Sequence, residues 1–209
     1  MCNRAEDRFS TRAQQDLQQL FGPVFTWEGD RERINPTDPL LTVRTTEGGY
    51  QATPLRWGLI PPGKTPEDYK RVTTTNARLD TLTSKPTYRS AFLEGRRCIV
   101  PMSAFFEPDP SHTPRKGERK RWYRVERPDG RPLLAAGVWE RTETPAGVLE
   151  SVTVVTRAPV GELATVHDRM PALLLSKDLH TWLDGDPQAA IQAAQDSWPD
   201  GLLHWALVP

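Results

Sequence analysis

The order of apolar and polar positions divides this chain into a helical start, a strand-rich middle and a helical end. Ala13, Leu17 and Leu20 recur at helical spacing between polar residues, and Thr11-Arg12-Ala13-Gln14 fits a capping box. The pattern predicts a short amphipathic helix ending near Phe21-Gly22. The chain then changes period. "LLTVRTT" (40–46), Glu47-Gly48-Gly49 and "YQATPLRWGLI" (50–60) read as strand, turn, strand. "RCIVP" (97–101) reads as a short buried strand. "RWYRVER" (121–127), Pro128-Asp129-Gly130 and "RPLLAAGVWE" (131–140) read as a second hairpin, and "ESVTVVT" (150–156) is the strand richest in β-branched residues. Helical pieces are predicted near 177–183 and 187–197, with Pro187 suited to a first helical turn. Strict βαβ alternation is missing. The expectation is therefore an α+β fold, a single domain over 1–209, built around a curved, mostly antiparallel sheet with peripheral helices.

Composition narrows the function classes. Lys+Arg and Asp+Glu balance at 27 each, which argues against a uniformly basic nucleic-acid binder but permits a local basic groove. Cys2 and Cys98 are the two cysteines, too few for a secreted disulfide scaffold. With four scattered histidines they give no zinc-ligand spacing, so no metal and no cofactor are expected. The first residues lack an apolar signal segment, and no apolar run is long enough to span a membrane. A cytoplasmic, reduced protein with free thiols is the expectation.

Four stretches carry more polar chemistry than their surroundings need. The first is Met1-Cys2-Asn3-Arg4. Trimming of Met1 before a small residue would leave Cys2 as a 1,2-aminothiol. Its amine (ordinary pKa about 7.7–8.0) and its thiol (about 8.5) are then both partly nucleophilic near neutrality. Such a group attacks an aldehyde twice, first as a Schiff base and then by closing a thiazolidine; on an amide it would be an N-terminal nucleophile. The plain alternative is an exposed cysteine of no consequence. The second is "TTTNARLDT" (73–81), where Asn76 and Arg78 either bind a substrate or form a polar turn. The third is "RRCIVPMSAFFEPDP" (96–110). Glu107 sits between Phe106 and Pro108, a setting that raises a carboxyl pKa and suits proton transfer, unless its head reaches solvent. Cys98, in an apolar strand, reads as an inert core residue. The fourth is "TVHDRMP" (165–171), with His167 as an acid–base candidate beside Arg169, or else a capping turn. Trp57, at a strand end, either packs in the core or stacks on a base. The basic run at 112–121 reads as a solvated hairpin loop, with phosphate contact as the alternative.

Taken in order, Met-Cys-x-Arg, "INPT" (34–37), "RWGLIP" (56–61), "TNAR" (75–78), "YRSAF" (88–92), "RRCIVPMSAFFE" (96–107) and "HDRMP" (167–171) resemble the SOS-response-associated peptidase family, also called the SRAP domain. The resemblance runs from Cys2 to about Leu175. It implies an α+β fold with a β-barrel-like core and covalent capture of abasic sites in single-stranded DNA as a thiazolidine crosslink. It implies Cys2 as nucleophile and Asn76 as the hydrogen-bonding holder of the cysteine and opened sugar. Glu107 would be the proton shuttle that also assists Met1 removal, and His167 the second acid–base group. Arg4, Arg78, Arg89 and Arg169 match the family's phosphate contacts, and Pro36 and Trp57 its DNA-path residues. A monomer acting on DNA in the cytoplasm or nucleoid follows. The chain departs from the family pattern at Asn3 (usually Gly), Asp80 (usually Glu) and Pro108 (usually Trp). Two other classes compete: a cysteine-dependent peptidase using Cys2, Glu107 and His167, and a non-covalent reader of damaged or modified DNA that needs the arginines but not Cys2.

Overall fold

The computed structural model describes residues 3–22, 25, 27 and 29–208. The chain enters as a two-residue strand, β1 (Ala5–Glu6), and passes into α1 (Thr11–Phe21). The helix is capped by Ser10, whose hydroxyl accepts the Ala13 N–H, rather than by Thr11. The capping-box reading was one residue late because Ser10 is the residue with extended backbone. Ala13, Leu17 and Phe21 form the buried stripe, and Gly22 ends the helix at φ 96°.

Next come β2 (Pro39–Thr46) and β3 (Gly49–Trp57), paired antiparallel over their full length as the predicted hairpin. Then follow β4 (Asn76–Arg78), α2 (Pro86–Leu93), β5 (Arg97–Met102) and β6 (Ala104–Pro108). After them come β7 (Trp122–Glu126), β8 (Leu133–Thr144) and β9 (Gly147–Arg157). The chain finishes with β10 (Met170–Pro171), α3 (Leu179–Asp184), α4 (Pro187–Asp196) and β11 (His204–Val208).

Pairing in the order β9-β3-β2-β5-β8, with β8 returning to β9, closes a five-stranded barrel. The β3–β9 contact is parallel and the others are antiparallel. A second sheet, β1-β6-β7-β11, stands against it. Alternation along β5 serves two clusters. Cys98, Val100 and Met102 pack with Trp57, Val152 and Phe105, while Ile99 packs with Leu41, Val138 and the helices. Cys98 lies opposite Gly137 of β8, where a Cβ would stand 2.8 Å from its sulfur. Burial pushes the Cys98 thiol well above its ordinary value, which makes it the inert core cysteine the sequence predicted.

One reading is corrected. β7 does not pair with β8: it pairs with β6 and β11, and the Pro128–Gly130 turn passes the chain from one sheet to the other. The reason lies in burial. Residues 133–138 of β8 are buried at every position, as a barrel strand requires, whereas β7 is mostly half-buried. Trp57 is not a surface ring. It has no exposed area, its indole N–H donates to the Thr75 carbonyl at 2.9 Å, and it belongs to the core. The ring thus packs in the core, one of the two readings its place at a strand end allows, and Trp57 borders the groove described below. Trp57→Phe removes that hydrogen bond and leaves a void, and is expected to cost about 1–3 kcal/mol. Thermal unfolding should show a lower Tm with single-stranded DNA binding unchanged; weaker binding at unchanged Tm would restore the stacking role.

Candidate functional site

The site forms where the rim of the barrel meets the second sheet. β1 pairs with β6 through Ala5↔Phe105, and the Phe106 N–H donates to the Arg4 carbonyl at 3.0 Å. That register sets Asn3 level with Glu107. Successive residues alternate faces, so Glu107 points inward, like Phe105, while Arg4 and Phe106 point outward. Cys2 lies outside the described residues.

Glu107 is 1% exposed. Desolvation raises its pKa from the ordinary 4.5 to about 7, with the negative charge of Asp168 adding to the effect. Its carboxylate stands 3.7 Å from His167 Nε2. His167 follows a 3₁₀ turn (Gly161–Thr165) and is held by the Arg169 backbone N–H, which donates to Nδ1 at 3.0 Å. This leaves the proton of the neutral ring on Nε2, facing Glu107. Asp168, 86% exposed at its side chain, also reaches Nδ1 at 2.8 Å. The N–H and the carboxylate suit opposite protonation states, and the fixed backbone donor defines the neutral one. Burial lowers the His167 pKa, so the ring is neutral near pH 7.

Asn76 opens β4, which runs parallel to β9 with Asn76 opposite Val154. Its amide donates to Asn3 Oδ1 at 3.1 Å, and the Thr75 hydroxyl donates to the same oxygen at 2.8 Å. The Tyr88 hydroxyl donates to the Asn76 carbonyl at 3.2 Å. Two residues on, Arg78 makes a paired contact with Asp80, and Arg169 meets the same carboxylate at 3.4 Å. Pro36 sits on an exposed turn with Thr37, a non-glycine residue at φ 78° whose N–H donates to the Trp57 carbonyl. Pro36, Thr37, Asn3, Arg56 and Thr75 line one groove. Gly58, at φ 118° and with Arg56 too near for a Cβ, lets the chain leave β3 toward that groove.

The sequence candidates therefore divide. Asn76, Glu107, His167, Arg78, Arg169 and Pro36 stand around the rim, and Arg4 lies across β1 from them. Arg89 is exposed on α2, next to Tyr88, whose hydroxyl donates to the Asn76 carbonyl. Trp57 is underneath. Sequence reasoning did not single out Thr75 or Trp122. Arg4 lies 3.9 Å over the Trp122 ring, a contact across 118 residues with no local signature. Among the described residues no His/Cys/Asp/Glu group could hold a metal, and no helix is long and apolar enough to cross a membrane.

The family model described as SOS response associated peptidase (SRAP) matches residues 1–209. The chain belongs to the SRAP family. It is 32% identical over 157 residues to the abasic site processing protein YoqW of Bacillus subtilis, covering 72% of this chain and 65% of that relative. It is also 32% identical over 155 residues to the abasic site processing protein HMCES of Xenopus tropicalis, covering 62% and 44%. The match thus spans less than two thirds of either relative's length. A crystal structure of a Bordetella bronchiseptica protein superposes over the whole of both chains with a TM-score of 0.83 at 25% identity. That agreement covers the SRAP barrel and its companion sheet alike.

The Glu107 shift gives this SRAP chain a pH signature. The folded carboxyl keeps its proton to about pH 7, the unfolded one to about 4.5. Stability contributed by the protonated form is therefore lost as pH rises from about 4.5 to 7. His167 works in the opposite sense: its contribution is lost as pH falls below its unfolded value of about 6.5. Glu107→Gln is expected to exceed the parent in stability by about 2–3 kcal/mol at pH 8, and by little at pH 4. Denaturant unfolding at both pH values measures the difference.

Proposed function

We propose that this protein captures abasic sites in single-stranded DNA covalently through Cys2 once Met1 has been removed, and that it works as a monomeric single domain in the cytoplasm or nucleoid. The observation that carries the reading is the pairing of Glu107 and His167. A buried carboxyl with a pKa near neutrality faces a neutral imidazole, and the carboxyl's residue stands level with Asn3, the residue bonded to Cys2. The names of the relatives, abasic site processing proteins, supply the lesion.

The chemistry follows from what these groups can hold and release. An abasic sugar is mostly a closed hemiacetal. Opening it moves a proton from the anomeric hydroxyl to the ring oxygen, which a carboxyl poised near pH 7 can relay. The Cys2 amine adds to the freed aldehyde, and loss of one water gives a Schiff base. The thiol then adds to the C=N carbon while its proton goes to nitrogen, closing the thiazolidine. The second bond is intramolecular and so needs little further ordering. Glu107 and His167 serve the water-loss and thiol-deprotonation steps. Asn76 orients the Cys2 segment through Asn3. Arg4, Arg78 and Arg169 contact phosphates, with Arg89 and Pro36 further along the strand.

Intact mass spectrometry tests this. Mixed with an oligonucleotide carrying one abasic site, the protein lacking Met1 should gain the oligonucleotide mass less one water. Cys2→Ala, or an N-terminal extension, should abolish the adduct, and Glu107→Gln should slow it about 10²-fold or more. Binding without any adduct from the parent would favour the non-covalent reader, and Cys2-dependent turnover of unrelated peptides the peptidase.

A further inference from the structure

The side chain of Asn3, one of the positions where this chain departs from the family pattern, is engaged on one side only. Its Oδ1 accepts the Thr75 hydroxyl at 2.8 Å and the Asn76 amide at 3.1 Å. The Asn76 amide also donates to the Thr75 hydroxyl oxygen at 3.2 Å. Asn76 Nδ2 bears only protons, so the Asn3 atom that meets it is the oxygen, and Asn3 Nδ2 is turned the other way. Thr75 and Asn76 are buried, whereas Asn3 is half-buried and lines the groove with Pro36, Thr37 and Arg56. The amide protons of Asn76 and the hydroxyl proton of Thr75 are thus spent inside the protein. Among the described residues Asn3 Nδ2 has no hydrogen-bond partner, and it is the donor this cluster leaves over for a ligand.

The place of that donor selects its acceptor. Asn3 stands level with Glu107, and residues level with one another on an antiparallel pair project from the same face. The free amide and the proton-relaying carboxyl therefore share one side of the rim. We propose that Asn3 is a further substrate-contacting residue, whose Nδ2–H donates to the 4′-oxygen of the abasic sugar. The proposal rests on the functional reading above. In the closed sugar that oxygen is a ring ether, a weak acceptor. Opening breaks the C1′–O4′ bond, forms the C1′ carbonyl and moves the anomeric proton, by way of Glu107, to O4′. The ether becomes a hydroxyl and carries negative charge part-way through the step. A neutral donor fixed at that atom binds the opening sugar more tightly than the closed one, which is the condition for accelerating the step. The other oxygens of the opened sugar suit a lasting contact less well: the aldehyde oxygen leaves as water, and the 3′ and 5′ oxygens are phosphate esters. Asn3 itself neither gains nor loses a proton.

The Asn3→Asp variant tests this. Aspartate accepts from Thr75 and Asn76 as asparagine does, but offers no N–H. Asn3→Leu, of similar shape, removes the donor without adding charge. Crosslinking rates are read by intact mass at saturating DNA, over a pH series, on two single-stranded oligonucleotides. One carries an abasic site. The other carries an acyclic aldehyde linker, always open and without a 4′-hydroxyl. The same spectra verify loss of Met1, and thermal unfolding verifies the fold. On the abasic site Asn3→Asp should be about tenfold slower relative to the parent than it is on the linker, and Asn3→Leu should show the same gap. Slowing of both variants by equal factors on the two DNAs would overturn the proposal and leave Asn3 an anchor for the Cys2 segment. Rates equal to the parent on the abasic site would also overturn it. A parent that crosslinks neither DNA would overturn the covalent reading itself, and a parent that crosslinks both without the gap in the variants would overturn this proposal alone.

Discussion

The site depends on the way β9 is paired along both edges. One edge takes β8 and then β10; the other takes β3 and, two residues later, β4. Its pairing with both β8 and β3 closes the barrel. Its last residues hold β4, which carries Asn76 and Arg78, and β10, which follows directly on the segment containing His167 and Arg169. Chain segments some 90 residues apart in sequence thereby arrive on either side of one strand. The β-branched run of β9 is buried from Ser151 to Arg157, and Val152, Val154 and Val155 anchor it in both hydrophobic clusters.

Glu107 reaches the same rim from elsewhere. β5 and β6 are nearly continuous, interrupted only at Ser103, whose N–H and hydroxyl both donate to Glu6. The chain leaves the barrel there and joins the second sheet. A carboxyl four residues past the switch lands on the inward face, where water is scarce. A charge in that position is disfavoured, and the fold tolerates it because the group can stay protonated at neutral pH. The same burial that costs stability gives the group a pKa suited to exchanging protons near pH 7.

Much of this was legible in the sequence. Spacing gave α1, the β2–β3 hairpin and the closing helices; β-branching gave β9. The apolar strand around Cys98 was enough to read its burial, whereas Glu107 read equally as a buried carboxyl or one reaching solvent, because a long side chain between apolar neighbours can turn either way. Other features were not legible, for physical reasons. Pro128-Asp129-Gly130 makes the same tight turn whether the flanking strands pair or part, and only burial on both faces of β8 assigns it to the barrel. An aromatic ring at a strand end carries no sign of which side it faces, so Trp57 read equally as core or surface. The packing of Arg4 on Trp122 and the sharing of Asp80 are contacts between segments brought together by the folded sheet, and no local pattern encodes them.

The shared carboxylate of Asp80 has its own implication. It holds Arg78 directly and Arg169 at longer reach, so these two cations already carry a built-in counterion. In the proposed reading, a phosphate arriving there would exchange with a tethered carboxylate instead of displacing free salt ions. Binding at that point would be a swap of one anion for another, nearly neutral in charge and weakly sensitive to ionic strength. Such a swap would favour a ligand whose oxygens are held in place by neighbouring contacts over one that offers charge alone, so at this end of the site geometry would select more strongly than charge.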